Sequence, residues 1–202
     1  MGLTTRDIPL IAWSAAFVVS QATIVRLLGP AAPRVLEVQT AWSADRYRQI
    51  IGSMDEADTA RFRSHYYPDF VHPAIYAAAL RAGASRLGKS TDLSPSVTRA
   101  LDVAPIASAA GDYVENVVGL HLLDHPEHIT DLVVRATTAV SITKWILAVG
   151  TFGYLGIGFG RIWAPAMFRT ITSWRQEPTG PVGAPAWLPV QMVPRSRTFW
   201  SA

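Results

Sequence analysis

Three charged residues lie within stretches otherwise apolar enough to sit in lipid. Asp112 and Glu115 fall inside PIASAAGDYVENVVGLHLL, and Lys144 interrupts TTAVSITKWILAVGTFGYLGIG. An ionised side chain at the centre of a bilayer costs about 2.5–3.5 kcal/mol on insertion scales. A chain that keeps three must pair them, line a wet cavity with them, or use them. The eight or so strong apolar residues between Val103 and Leu123 each return only about 0.3–0.6 kcal/mol. That helix therefore inserts stably only against partners.

Four apolar runs approach the roughly 20 residues a helix needs to cross a bilayer: 8–28, 66–84, 97–123 and 133–159. Half of the 202 residues are hydrophobic and 16% are charged, below the ~25% of soluble domains. The expected fold is all-α, an integral membrane four-helix bundle with a short amphipathic extramembrane helical region. The first run follows Arg6 as a secretory signal would. No small-x-small cleavage site follows it, so it reads as the first membrane helix. Residues 177–202 form a Pro-rich stretch expected to be a flexible tail.

The sequence excludes several classes of chemistry. Without cysteine there is no disulfide, thiolate metal site or cysteine nucleophile. No Lys/Arg run suits nucleic acid. No phosphate loop, dinucleotide fingerprint or zinc-protease motif occurs, so no cofactor is expected. His121, His125 and His128, with Asp124 and Glu127, straddle a helix end and a proline-containing loop. They read as solvated side chains, and no metal is expected.

Local signals divide the rest. Ser53 with Glu56 has the spacing of a capping box, predicting a helix from Met54 that runs into the second span. Trp42–Ile51 fits either an interfacial helix or a packed loop helix. Ser94-Pro95 reads as an N-cap followed by proline at the first helical position, and Pro105 predicts a kink. The loop holding Arg81, Arg86, Lys89 and Arg99 is basic, and that holding Asp124, Glu127 and Asp131 is acidic. The basic side marks the cytoplasm, which puts both termini there in an inner-membrane protein.

Depth brings the charges together. Asp112 lies 11 residues from the outer end of the third span and Lys144 11 residues into the fourth, both roughly 16 Å deep at 1.5 Å per residue. An Asp112–Lys144 ion pair is expected. Asp112, Glu115, Asn116 and Gly119 share one helix face. Two carboxyls against one lysine leave an acid without a countercharge, and burial favours its neutral form. Glu115 is the expected proton donor, with Asp112, Lys144 and Asn116 completing the catalytic set. Tyr113, Tyr76, His72, Asp69, Gln21 and Trp145 are expected to bind substrate, with Asp69 and His72 a candidate acid–base pair.

The leading functional expectation is an acid–base site for a lipophilic, isoprenoid-like small molecule; an isomerase or cyclase would use such a site. The alternatives are an accessory subunit of a larger membrane complex and a proton-coupled transporter. The subunit reading draws on the glycines of 150–160 and the aromatics Trp187, Phe199 and Trp200. The expected partners are thus the bilayer, a lipophile, and a membrane protein or second copy.

YYPDFVHPAIYAAAL, GDYVENVVGLHLL and TTAVSITKW together resemble a family of small four-span bacterial membrane proteins of unassigned function. Its marks are a D-x-x-E-N signature in the third span, matched by Asp112, Glu115 and Asn116, and a K-W signature in the fourth, matched by Lys144 and Trp145. Ser141 stands where that family tends to have threonine. The resemblance covers about residues 61–150 and implies architecture without an activity.

Overall fold

The computed structural model describes residue 5 and residues 7–175, with side chains to residue 164. The expected tail, 177–202, lies outside the described residues. The chain divides into a unit of residues 1–163, which holds the core and the site, and a second of residues 164–202.

Among the described residues the regular structure is entirely helical. Its α-helices are α1 (Ile8–Leu28), α2 (Ala32–Gln39), α3 (Ala44–Gly52), α4 (Glu56–Asp69), α5 (His72–Gly88), α6 (Pro95–Asp124) and α7 (Asp131–Arg175). Two stretches, Ile8–Gln39 and Asp131–Ala164, are long and apolar enough to cross a membrane.

The breaks follow from backbone chemistry. Gly29 closes α1 at φ +50° and donates its N–H to Val25. That left-handed conformation favours glycine, and Pro30 and Pro33 then start new turns without N–H groups. Ser43 caps α3 by accepting from the Arg46 N–H at 3.2 Å. Ser94 caps α6 through the Val97 N–H at 3.4 Å, with Pro95 in the first turn. Pro105 sits inside the unbroken α6.

Two boundaries differ from the sequence reading. Asp55, not Ser53, is the N-cap of α4, accepting from the Asp58 N–H at 2.7 Å. Ser53 instead ends α3, its hydroxyl bonded to the Ile50 carbonyl at 2.7 Å. A carboxylate suits the positive helix start better than a hydroxyl does. The helix also does not run on into the second span. Pro73 cannot donate to the Asp69 carbonyl four residues back, and its ring crowds that oxygen; α4 stops at Asp69 and α5 begins at His72.

The core lies in three groups. Tyr76, Leu80, Leu87, Leu101, Ala109 and Leu155 join α5, α6 and α7. Ile24, Leu28, Met54, Phe62 and Tyr66 join α1 to α4. Tyr47 and Ile50 of α3 pack on Leu122, Ile129 and Val134. The apolar face of α3 is therefore buried in protein, which selects the packed helix over the interfacial one. Asp131 ties its start to α7 by accepting from the Ala44 N–H at 2.7 Å.

Gly119 is the tightest crossing. A Cβ there would meet the Tyr66 hydroxyl, with the ring carbon beneath it 2.8 Å away. Tyr66 is buried and has no room to yield. Gly119→Ala should therefore destabilise the fold by about 1–3 kcal/mol, the usual cost of overpacking. Gly150→Ala, whose Cβ meets nothing, should not. Thermal unfolding of both variants checks this; an unchanged midpoint for Gly119→Ala contradicts the crossing.

Candidate functional site

Lys144 is 5% exposed on the inner face of α7 and stands between two carboxylates of α6. Its Nζ bonds Asp112 and lies 2.9 Å from Glu115 Oε2. Gly111 permits this approach, since a Cβ there would lie 3.1 Å from the Lys144 Cβ.

Each carboxylate has further donors. Tyr76 of α5 donates to Asp112 Oδ2 at 2.6 Å. Ser141 donates to Glu115 Oε2 at 2.5 Å, and the amide of Gln39, at the end of α2, bonds Glu115 Oε1. The Gln39 oxygen accepts from the Trp145 indole at 3.0 Å. Because an indole only donates, this contact fixes the orientation of the Gln39 amide. Its NH2 must then face Glu115, as observed. Ser108 lies 2.9 Å from both the Tyr76 oxygen and the Lys144 carbonyl. One network thus joins α2, α5, α6 and α7.

Asn116 has a different task from the one expected. It is 1% exposed, and its amide donates to the backbone carbonyl of Asp69 at 2.7 Å. That is the carbonyl Pro73 leaves without a helical partner. Asn116, expected in the catalytic set, therefore closes the α4–α5 break and does not line the cavity described next.

A cavity of about 400 Å³ lies over this network, within the ~300–1,000 Å³ range of small-molecule sites. Its polar lining includes Asp112, Lys144, Tyr76, Asp69, His72, His65, Ser108 and Gln39. Its apolar lining comes from α1 (Phe17, Ile24, Val25, Leu28), α2 (Val35, Leu36) and α7 (Ala148, Phe152). Val25, Leu36, Trp145 and Phe152 line it yet remain exposed, so it is open along an apolar rim.

The remaining expected residues fall on both sides of the cavity wall. Asp69, His72, Tyr76, Gln21 and Trp145 line it. Glu115 does not. It sits behind Lys144 and Gln39, beside a void of about 20 Å³, so it cannot touch a molecule in the larger space. Tyr113 is 38% exposed and lines neither the cavity nor the smaller void. Asp69 and His72 form no pair; His72 Nδ1 bonds Ser20 of α1, and its ring stacks on Phe17 at 5.5 Å.

Gln39, His65, Ser108 and Ser20 were missed. Gln39 lies in the polar stretch between the first two spans and His65 in the helix expected from Met54, and no periodicity flagged an inward face at either. His65 bonds the Phe62 carbonyl. Burial lowers its pKa from the usual 6.5 to about 4, against that bond. Burial, and then the Glu115 charge, pushes the Tyr47 phenol up. At the loop, His121 and His128 bond each other at 2.8 Å. Among the described residues no three His, Asp or Glu side chains converge as a metal site would require.

The fold and site thus define an all-helical protein with a polar-floored, apolar-walled cavity built on a buried carboxylate–lysine–carboxylate cluster. No protein-family model matches the chain, and no curated protein and no solved structure matches it.

Lys144→Met would leave two buried carboxylates facing each other. Breaking a buried pair in this way costs about 3–5 kcal/mol. Glu115→Gln keeps Lys144 paired with Asp112 and should cost clearly less. Comparing the unfolding midpoints of the two variants checks the order; equal losses would contradict a bridging role for Lys144.

Proposed function

We propose that this chain is a four-span inner-membrane protein that binds a lipophilic small molecule in the α1–α2–α7 cavity, over the floor of Asp112, Lys144 and Tyr76. The observation that carries this reading is an inverted distribution of polarity. Lys144, Glu115, Asn116, Thr138 and Ser141 are buried, whereas Val18, Val114, Val117, Ile146 and Val149 are 50–67% exposed. Water would reverse that arrangement, and a lipid surround favours it.

In this reading α1, α5, α6 and α7 span the bilayer. The basic α5–α6 loop faces the cytoplasm and α3 packs on the outer side. The resemblance of residues 61–150 to small four-span bacterial membrane proteins supports the same architecture. α6 alone would insert poorly with Asp112 and Glu115. Its outward side, with Val103, Ile106, Val114 and Val117 exposed, is apolar.

The groups that touch the cavity are those through which acid–base chemistry on an isoprenoid-like molecule would run. Tyr76 donates a hydrogen bond to Asp112 across 2.6 Å, and the two could pass a proton at the cavity floor. Lys144 relays the charge of Glu115 to them. Glu115 would thus act only through Lys144, and the groups facing a bound molecule would be Tyr76, Asp112 and Lys144.

A second reading has its own support. Gly150, Gly153, Gly156 and Gly160 of α7 would place a Cβ in open space. Such a small-residue face suits close contact with another helix, as an accessory subunit of a membrane complex would make.

Native mass spectrometry of the protein, extracted gently from its own membrane, separates the two. The lipophile reading predicts a discrete small hydrophobic mass on the wild-type chain, lost in Ala148→Trp, which fills the cavity. A stoichiometric second polypeptide with no small molecule would overturn it in favour of the subunit reading.

A further inference from the structure

The cavity also carries information about the charge of what it holds. This step rests on the reading that the cavity takes a lipophile. Three carboxyls, Asp69, Asp112 and Glu115, stand at or just behind the polar end, against one ammonium, Lys144. Lys144 is engaged on both sides, by Asp112 and by Glu115. No arginine among the described residues lines the cavity. Among the described residues no ion pair within 4 Å reaches Asp69, which lines the space and whose side chain is hydrogen-bonded to Asn116. Of the lining histidines, burial holds the pKa of His65 down at about 4, which favours its neutral form.

The lining is also aromatic. Phe17 and Phe152 meet at 5.6 Å, and Trp145 lies beside them on the lining. Aromatic faces attract cations, most strongly where water is excluded. The Trp145 ring already has the Lys144 ammonium 5.6 Å from its centroid. A surplus of carboxyls beside aromatic rings is the chemistry that holds an organic cation and repels an anion.

We infer that the cavity selects lipophilic cations, amphiphiles with an amine or quaternary head seated near Asp69 and an apolar body against α1 and α7, and rejects anionic lipophiles. Anionic phospholipid headgroups and fatty carboxylates are thereby excluded, although either would fit by size and hydrophobicity.

The test uses two ions of the same shape and opposite charge, tetraphenylphosphonium and tetraphenylborate, with neutral farnesol as a third probe. Binding to the full chain in nanodiscs of zwitterionic lipid is measured by equilibrium dialysis against empty discs. The expected result is saturable phosphonium binding at one per chain, weakened at least tenfold by Asp69→Asn, with no saturable borate binding. Asp112→Asn is the second variant, and the comparison of the two ions on the wild-type chain needs no variant at all. Borate binding as tight as phosphonium, or phosphonium binding unchanged in both variants, overturns the inference. Saturable farnesol binding without phosphonium binding overturns the charge assignment while the lipophile cavity stands. Binding of none of the three overturns both.

Discussion

The ammonium of Lys144, held between Asp112 and Glu115, is the interaction on which the rest of the arrangement depends. Each of these groups is costly in an apolar surround when alone. Together they become tolerable, because a lysine offers three protons and the carboxylates bring Tyr76, Ser141 and Gln39 as added donors. A buried ion pair of this kind adds little net stability over an apolar replacement, but breaking one is severe. Its effect is to specify which helix faces meet: α6 against α7 through the charges, α5 through Tyr76, and α2 through Gln39.

The second device is a proline and the side chain that compensates for it. Pro73 ends α4 and frees the carbonyl of Asp69, and Asn116 satisfies that oxygen from α6. The break places Asp69 and His72 on the cavity lining at a change of helix. Tyr66, packed on Gly119, fixes the same crossing one turn further out. Site and fold are therefore not separable here. Asn116 and Gly119, which share a helix face with Asp112 and Glu115, serve the joint, while Asp112 serves the cavity.

Much of this was legible from spacing alone. The bounds of α1, the Ser94-Pro95 start of α6, and the shared depth of Asp112 and Lys144 follow from period, cap chemistry and rise per residue. What spacing could not convey is which atoms of a polar face reach a cavity. Glu115 and Asp112 lie one turn apart on the same face, yet only Asp112 lines the cavity, because α2 folds back and seats Gln39 over Glu115. The return of α2 depends on Gly29 and two prolines followed by only eight helical residues, too short for periodicity to announce. Tyr113 was misplaced because an aromatic next to Asp112 in sequence points about 100° away on a helix of 3.6 residues per turn.

The account's central claim is that charge lies inside this bundle and lipid outside it. The absence of cysteine makes a direct test clean. Single cysteines at Val114 and Ile146, both exposed, and at Gln49 on the exposed side of α3 can be spin-labelled in liposomes. Collision rates with oxygen and with a water-soluble nickel chelate can then be compared. The account predicts high oxygen and low nickel access at Val114 and Ile146, and the reverse at Gln49. Nickel access at Val114 and Ile146 equal to that at Gln49 would contradict it.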